Sequence, residues 1–489
     1  MKTVSAALLP IITIDRSAER PLHRQVYDAY RTAIADGTLR VAQKVPSTRV
    51  LAAELGVSRS PVLHAYAQLV AEGYLHSRVG AGTEVSKVLA ERHGSWSTPR
   101  SRRATSGMRP VAKLSTLAIP AESAFWRCGG AFVVGQVAND QFPVRVWNAL
   151  VTRHGRRKGV NSLDDGNPMG LRALREAIAV YVRTVRAVKC EAEQIMVVSG
   201  PLQALEVSAR VLLNAGHAVW IEEPACPFAR NVFTLHGCRI VSVPVDGEGL
   251  NVETGIRECG NARVALVTPS HHYPLGVTMS TSRRLRLLDW AERSGAWILE
   301  VDCDGEYRHE GKPVASLQSL DANSRVVYIG SFDKVLFPSL KLGYVVIPPD
   351  LLEPFRSICV AMDTGPPAFG QAVVADFIRE GHFSRHIRRM RSLYGERRNE
   401  LVENLRQALP LRVQATGGQA GMQLAVILDG INDLEVAKRA ARQQLWLSPL
   451  SACYSGKDPR SGFVLGFGNV PVADISKAVH RLRAAVGFQ

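Results

Sequence analysis

Two hydrophobic patterns divide the chain. Up to about residue 86, apolar residues recur at helical spacing and are followed by a short alternating segment. From about Phe125, near-continuous apolar runs of strand length alternate with longer amphipathic stretches. Helical spacing predicts amphipathic helices, and apolar runs separated by helices predict a mostly parallel sheet that is buried on both faces. The pattern therefore predicts a small helical domain followed by a large α/β domain.

The N-terminal pattern predicts three helices and a hairpin. Apolar residues at helical spacing over residues 22–34 predict the first helix. The stretch PSTRVLAAELGVSRSPVLHAY predicts a helix–turn–helix over about residues 47–66, with Gly56 at the sharp turn and Ser58 able to cap the second helix. After Gly73, the alternating segment YLHSRVGAGTEVS predicts a glycine-tipped hairpin. Residues 1–86 are thus interpreted as a winged-helix domain.

This arrangement presents polar residues suited to DNA. Ser58, Arg59 and Ser60 begin the second helix of the motif, from which side chains reach base edges and backbone amides reach phosphate. Glycines at the hairpin tip allow the backbone to lie close to a phosphate chain. The hairpin residues expected to contact DNA are Arg78, Gly80, Gly82 and Thr83.

Charge and composition narrow the class of protein. The net charge is +16, and residues 1–113 hold 17 Lys and Arg against 8 Asp and Glu, which indicates a polyanionic partner for the N-terminal part. The eight cysteines are scattered without metal-ligand spacing, so we expect free thiols and no metal site. No apolar run is long enough to span a membrane, and the N-terminus lacks a cleavage site for a signal peptide. We therefore expect a cytoplasmic protein.

The rest of the chain is divided into a linker and a large domain. Residues 87–123 lack periodicity and are rich in Ser, Thr, Pro and Arg, which predicts a basic flexible linker. Residues 124–489 are predicted to form the α/β domain. Its strand candidates are residues 194–200, 217–223, 238–245, 263–269, 296–302, 325–332 and 342–348.

One lysine stands out in the α/β domain. The strand-like run over residues 326–332 is followed by Lys334, and Lys341 comes seven residues later. A lysine just past an apolar strand could form a Schiff base with a carbonyl compound. Asp333 is its direct neighbour, and its carboxylate either pairs with one of these lysines or repels an anionic ligand.

Both parts resemble known families. PLHRQVYDAYR, PSTRVLAAELGVSRSPVLHAY and GAGTEV resemble the winged helix of GntR-type bacterial regulators, which implies Arg49, Arg59 and Arg78 as DNA contacts. DGNPMGLRALREAIAVY, VTPSHHYPLGVTMS, RVVYIGSFDK and GHFSRHIRRMR resemble fold type I aminotransferases. The combination is similar to the MocR/GabR group, which fuses these two domains and forms dimers.

The resemblance implies pyridoxal 5'-phosphate as a cofactor. In such domains a lysine holds the aldehyde, a carboxylate faces the pyridine nitrogen, and hydroxyls, amides and cations hold the phosphate. The residues that the resemblance implies as cofactor contacts are Lys334, Ser331, Lys341, Tyr273 and Gln203.

The chain departs from the group at several of these positions. Val301 replaces the carboxylate that pairs with the pyridine nitrogen, Cys303 replaces a tyrosine, and Cys226 replaces the stacking tyrosine. Asp333 stands in place of a phosphate-binding serine, and Val464 in place of the arginine that grips a substrate carboxylate. Asp302 is adjacent to Val301, but strand alternation directs it to the opposite face.

These observations lead to one hypothesis and two alternatives. The hypothesis is a dimeric transcription regulator that binds a double-stranded operator and senses a small amino compound or vitamin, through pyridoxal phosphate on Lys334, without catalysing transamination. The first alternative is a working aminotransferase with a DNA-binding tether. The second is a cofactor-free ligand sensor. The sequence names neither the effector nor the operator, and it leaves the choice between activator and repressor open.

Overall fold

The computed structural model describes residues 12, 14–18, 20–78, 82–86, 130–156, 167–309, 314–362, 365–409, 414–456 and 458–487. The chain forms two compact units, residues 1–112 and 113–489. The division between them falls within residues 87–123, the range predicted as a linker, and that range lies outside the described residues.

The N-terminal unit consists of three helices and a small sheet. Its elements are α1 (Leu22–Ala35), β1 (Lys44–Val45), α2 (Thr48–Glu54), α3 (Arg59–Ala71), β2 (Leu75–Arg78) and β3 (Gly82–Val85). The strands form an antiparallel sheet in the order β1-β3-β2. The predicted helix–turn–helix is α2 followed by α3, and the predicted hairpin is β2 followed by β3.

The core of this unit is centred on α1 and α3, and α2 and the small sheet complete it. The apolar face of α3 is buried: Val62, Tyr66 and Leu69 are all at most 5 % exposed. The Tyr66 hydroxyl donates to the Tyr30 hydroxyl at 2.9 Å, and Tyr30 is a buried residue of α1. These contacts satisfy the polar tips of two aromatic residues in an apolar core, so the aromatic rings pack without an unpaired hydroxyl.

The first half of the large unit alternates helices and strands. Its elements are α4 (Val144–Arg156), α5 (Arg172–Arg186), β4 (Ile195–Val198), α6 (Pro201–Leu212), β5 (Ala218–Glu223), α7 (Pro227–Leu235), β6 (Arg239–Asp246), β7 (Gly249–Leu250), α8 (Val252–Cys259), β8 (Val264–Val267), α9 (Thr281–Ser294), β9 (Trp297–Asp302), β10 (Val326–Ser331) and β11 (Gly343–Val346). Each of the seven strand candidates read from the sequence overlaps a strand of the structure.

These strands form one eight-stranded sheet in the order β4-β11-β10-β9-β8-β5-β6-β7. Neighbours from β10 to β6 pair in parallel, whereas β11 pairs with β10 and β4 in antiparallel fashion. Every residue of β10 is buried, because Tyr328 faces one apolar cluster and Ile329 faces another on the opposite side of the sheet. The predicted mostly parallel sheet with helices on both faces is confirmed.

The second half of the large unit contains a smaller sheet that the sequence interpretation missed. Its elements are α10 (Leu352–Met362), α11 (Ala368–Arg379), α12 (His382–Ala408), β12 (Gln414–Thr416), β13 (Gln423–Ile427), α13 (Asp433–Ala441), β14 (Ser448–Pro449), β15 (Gly462–Gly466) and α14 (Val472–Val486). The strands pair in antiparallel fashion in the order β12-β13-β15-β14. The fully buried β13 is visible in the sequence as an apolar run, but β12 and β14 are too short to show a periodic hydrophobic pattern. None of the helices within the described ranges is long and apolar enough to cross a membrane.

Two glycines bring the two halves of the large unit together. Gly276 follows the loop of residues 270–275, and Gly417 follows β12. A Cβ atom on Gly276 would lie 2.2 Å from the Cα atom of Gly417, and both glycines have positive φ angles of 66° and 88°. Only glycine allows backbones to approach so closely, so this contact fixes the loop against the C-terminal sheet.

Gly276→Ala should therefore destabilise the protein far more than a strained backbone alone would. Gly295 has the same φ of 66° with no atom within 4 Å of its added Cβ, so Gly295→Ala is a matched control. The control should cost about 1–2 kcal/mol for the left-handed conformation. The loss of stability for Gly276→Ala should exceed that of the control by about 1–3 kcal/mol, because the new methyl group overpacks the contact with Gly417. Denaturant unfolding of both variants measures the difference, and equal losses would contradict this account.

Candidate ligand pocket and DNA-binding surface

The first turn of α3 presents the polar residues that the sequence singled out. Ser58, Arg59 and Ser60 are all exposed. Ser58 occupies the N-cap position with an extended backbone, φ −64° and ψ 156°, but its side chain makes no capping hydrogen bond. The prediction that Ser58 caps α3 is correct for the position and wrong for the side chain.

An arginine connects the two helices of the motif. The Arg59 Nε donates to the Thr48 Oγ1 at 3.1 Å, so the start of α3 touches the start of α2. Arg49 is the next residue of α2 and is exposed. Ser47 caps α2 by accepting a hydrogen bond from the Val50 amide at 3.4 Å. The two arginines therefore stand on neighbouring helix N-termini, where a phosphate chain is electrostatically favoured.

The hairpin holds the remaining predicted DNA residues. Arg78 pairs with Gly82 across the two strands, and both are exposed. The Thr83 Oγ1 donates to the Ser77 Oγ at 3.3 Å, which connects the two strands near the tip. Gly80 lies outside the described residues.

In the large unit, Lys334 lies just beyond the end of β10 beside an acidic partner. The Lys334 Nζ is 3.4 Å from the Asp304 Oδ2, and the Asp304 Oδ1 is 3.3 Å from the His271 Nδ1. Burial lowers the pKa of Lys334, but the Asp304 carboxylate outweighs it and raises that pKa above its usual value. Burial raises the pKa of Asp304, yet Lys334 and His271 bring it well below its usual value. The pair is therefore ionised, with two thiols as further neighbours of the amine.

Hydrogen bonds to the backbone fix the position of Lys334. The Tyr307 hydroxyl donates to the Val335 carbonyl at 3.2 Å, and the His386 ring nitrogen lies 3.1 Å from the same oxygen. Burial lowers the pKa of His386 to about 4, so its ring remains neutral in this apolar setting. The chain segment that carries the amine is thus held from two directions, by the loop after β9 and by α12.

Asp333 does not pair with either lysine. Within the part of the chain that the structure describes, its carboxylate forms no ion pair with Lys334 or Lys341. The Asp333 Oδ1 accepts a hydrogen bond from the Leu342 amide at 3.2 Å, and its Oδ2 would lie 3.1 Å from a Cβ on Gly200. Gly200 is the N-cap residue of α6. The idea that Asp333 is the partner of a lysine is therefore wrong, because the carboxylate is directed at the start of α6.

Successive side chains of β9 lie on opposite faces of the sheet. Val301 packs against an apolar cluster on one side of the sheet, whereas Asp302 is buried on the other. Asp302 accepts hydrogen bonds from the Arg186 Nε at 2.7 Å and from the Tyr328 hydroxyl at 2.9 Å. Arg186, the last residue of α5, also donates to the Ser270 hydroxyl at 2.6 Å. The predicted direction of Asp302 is observed, so this carboxylate is committed to a buried ion pair.

The other predicted cofactor residues are divided between three places. The Ser331 Oγ accepts from the Asp333 amide at 3.1 Å, and the Gln203 side chain accepts from the Ser199 amide in the first turn of α6. Lys341 is exposed and has a left-handed backbone, φ 50°, just before β11. Ser331 and Gln203 thus lie on the two elements that meet at Asp333.

Tyr273 has an apolar environment. It packs against a cluster of buried residues of the C-terminal sheet and its surroundings. Those residues are Val134, Ile427, Leu450 and Val464. Val464 is fully buried, so the position that the resemblance assigns to a carboxylate-binding arginine belongs to an apolar wall.

Three residues of these clusters were not assigned a role from the sequence. Asp304 is the partner of Lys334, His271 contacts Asp304, and Arg186 is the partner of Asp302. His271 lies in the stretch VTPSHHYPLGVTMS and Asp304 follows Cys303, both noted from the sequence, but the contacts of these segments join residues about 30 to 116 positions apart. Such long-range pairing leaves no periodic signal along the chain.

Comparisons with known proteins agree with this architecture. Residues 135–482 match the model of aminotransferases of class I and II, and residues 22–85 match that of bacterial regulatory proteins of the gntR family. The probable rhizopine catabolism regulatory protein MocR of Rhizobium meliloti is 37% identical over 97% of this chain and 96% of its own. The pyridoxine biosynthesis regulator PdxR of Corynebacterium glutamicum is 30% identical over 91% of each chain.

Solved structures show the same likeness for the large unit. The kynurenine aminotransferase of Pyrococcus horikoshii superimposes with a TM-score of 0.68 and 27% identity, covering 73% of this chain and 90% of that one. The fold is thus a winged helix joined to a fold type I aminotransferase domain. The chain belongs to the aminotransferase class I and II family and, with its gntR-type domain, to the MocR-type transcriptional regulators.

The buried Arg186–Asp302 pair should be costly to break. Asp302→Asn leaves the guanidinium, whose side chain is only 3% exposed, without its counter-charge, and should destabilise the large unit by about 3–5 kcal/mol. The control is Glu435→Gln, which breaks an exposed ion pair with Lys438 and should cost at most about 0.5 kcal/mol. Chemical denaturation of both variants tests this. A loss for Asp302→Asn no greater than that of the control would contradict it.

Proposed function

We propose that this regulator binds its operator as a dimer through α2, α3 and the hairpin, and senses a small carbonyl or amino compound at Lys334. The observation that carries the sensing role is the ion pair between the half-buried Lys334 and the buried Asp304 at the end of β10. Buried charges are costly and are retained where they serve a partner or a site. Because the proposed partner is DNA, the proposed location is the cytoplasm.

The proposed DNA interface consists of the residues singled out from the sequence. Arg49 and Arg59 are exposed at adjacent helix N-termini, and Arg59 is oriented by its hydrogen bond to Thr48. The second helix of a helix–turn–helix reads the major groove with its N-terminal residues. Ser58 and Ser60 accompany Arg59 there. The hairpin residues proposed to follow the phosphate chain are Arg78, Gly80, Gly82 and Thr83.

Pyridoxal phosphate on Lys334 is the ligand that family membership supports, and it fits this pocket at one end only. The Lys334 amine and its counter-ion Asp304 suit an aldehyde. At the other end, the Asp333 carboxylate faces the start of α6, where the phosphate would need cations and amides. Val301 offers no charge to a pyridine nitrogen, since it packs against apolar residues. We therefore derive no chemical step through this cofactor.

Transamination is not part of the proposal. An amino-acid substrate needs a cation for its carboxylate, and the position assigned to that cation holds Val464, which is buried among apolar residues. A ring that sinks electrons needs a protonated pyridine nitrogen, and Asp302 is committed to Arg186 on the far face of β9. Sensing by binding requires neither of these groups.

Removing either arginine should weaken operator binding. Arg59→Ala and Arg49→Ala should each cost about 1–3 kcal/mol if the side chain reaches a base edge. Loss of a phosphate contact alone should reduce the slope of log affinity against log salt concentration by about one unit. The measurement is fluorescence anisotropy at several salt concentrations, on an operator selected from random duplexes with the wild-type protein.

The control for these variants is Arg31→Ala. Arg31 is an exposed arginine of α1, outside the helix–turn–helix. Its substitution by alanine therefore removes the same charge from another part of the unit. The affinity of the Arg31→Ala variant for the selected operator should stay within about threefold of wild type, since substitution of an exposed residue away from a binding surface has only a small energetic effect. The proposed interface would be abandoned if Arg49→Ala and Arg59→Ala behaved like Arg31→Ala.

The full-length chain should form a dimer. Fold type I domains pair through large interfaces by family resemblance, and a dimeric regulator binds two half-sites whose spacing reflects its symmetry. Sedimentation equilibrium at tens of micromolar should give a mass twice that of the 53.3 kDa chain. The selected operator should contain two copies of one motif. A monomer with a single half-site would refute the proposed assembly.

A further inference from the structure

The end of β10 and the start of α6 meet at a carboxylate. The amide of Asp333 donates to the Ser331 Oγ at 3.1 Å, which fixes the turn, and the Asp333 Oδ1 accepts from the Leu342 amide at 3.2 Å. Its Oδ2 would be 3.1 Å from a Cβ on Gly200, and Gly200 has a φ of 105° that suits glycine. The carboxylate therefore lies against the N-terminal end of a twelve-residue helix, α6.

The N-terminal end of a helix attracts an anion. The first amides of a helix have no partner within it, and the helix dipole places partial positive charge there. In this protein the chain supplies an anion of its own, on the loop that also carries Lys334. The place where a phosphate would be bound therefore already faces a negative charge.

The charges of the pocket are balanced without a ligand. Lys334 is matched by Asp304 at 3.4 Å; burial raises the pKa of Asp333, and the charges of Lys341 and Lys334 partly offset that effect. The formal charges of these two lysines and two aspartates cancel, although, within the described part of the chain, neither lysine is in ion-pair contact with Asp333. Cys303 and Cys226 add no charge, because burial raises the pKa of both thiols. A phosphate monoester carries a charge of about −1.5 to −2 near neutral pH, so its arrival would leave like charges in close contact.

We propose that Asp333 is a specificity-determining residue that makes the Lys334 pocket select an aldehyde with a hydroxyl group at its far end and reject the corresponding phosphate ester. The hydroxyl can donate a hydrogen bond to the carboxylate, whereas a phosphate dianion cannot. This inference rests on the proposed sensing role of Lys334 and specifies the class of ligand.

The covalent step requires no other reactant. The ammonium of Lys334 and the aldehyde condense to a protonated imine and one water molecule. The C=N bond forms, the carbonyl oxygen leaves as water with two of the ammonium protons, and the positive charge stays on nitrogen. Asp304, 3.4 Å from the Lys334 Nζ, is the counter-ion before and after the reaction.

The test compares pyridoxal with pyridoxal phosphate as probes. The full-length wild type, Asp333→Asn, Asp333→Ser and Lys334→Ala are titrated with each aldehyde, and imine formation is followed by absorbance and by borohydride trapping on the Lys334 peptide. Pyridoxal closes to a cyclic hemiacetal in water, which lowers its apparent affinity by the same factor for every variant. The readout is therefore the ratio of the two dissociation constants within each variant.

The ratio should move in favour of the phosphate ester by about tenfold or more in both Asp333 variants. Asp333→Asn removes the charge and keeps the shape, whereas Asp333→Ser also opens space, so agreement between them assigns the effect to charge. Lys334→Ala should lose the trapped adduct with both probes. Circular dichroism and thermal melting verify that each variant is folded.

Two results would overturn the inference. One is an unchanged ratio in both folded Asp333 variants. The other is the absence of any adduct on Lys334 with either aldehyde in the wild type and both Asp333 variants. Operator binding and dimerisation are measured on the same wild-type preparation without aldehyde. Failure there would count against the proposed regulator, and failure of the ratio test alone would count only against the ligand class.

Discussion

The buried ion pair between Arg186 and Asp302 is the contact on which the geometry of the large unit depends. Arg186 ends α5, and its guanidinium contacts Asp302 on β9, the Ser270 hydroxyl after β8, and the Val314 carbonyl beyond the next loop. A guanidinium that is removed from water must have its donors satisfied by fixed partners, so all these segments take one mutual position.

That position determines what each face of β9 can contribute. Because side chains alternate along a strand, holding Asp302 on the face of Arg186 places Val301 on the other face. The chain then turns so that Asp304 reaches Lys334 at the end of β10. The Arg186–Asp302 ion pair therefore keeps the Asp302 carboxylate out of the pocket and allows the Asp304 carboxylate to contact the Lys334 amine. A pocket in which the lysine is paired and one wall is apolar favours ligand binding over acid–base catalysis.

Much of the architecture was predictable from local patterns. The helix–turn–helix, the hairpin and the strands of the large sheet have strong periods or fully apolar runs, and each was found where it was expected. The C-terminal sheet was missed because two of its strands contain only two or three residues. Ser58 was predicted as a cap from its position, yet a side-chain rotamer is decided by competing contacts and solvent, which the chain order does not encode.

By itself, the sequence determined the order of the two domains, the family of each, and the identity of the residues that depart from the family pattern at Val301 and Asp333. Only the tertiary structure decided their partners. Asp304 meets Lys334 across 30 positions of sequence, and Asp302 meets Arg186 across 116. Asp333 is directed at Gly200, and not at the lysine beside it in the chain. The physical reason is that charge pairing depends on distance through space and on burial, and both arise only when the strands are packed side by side.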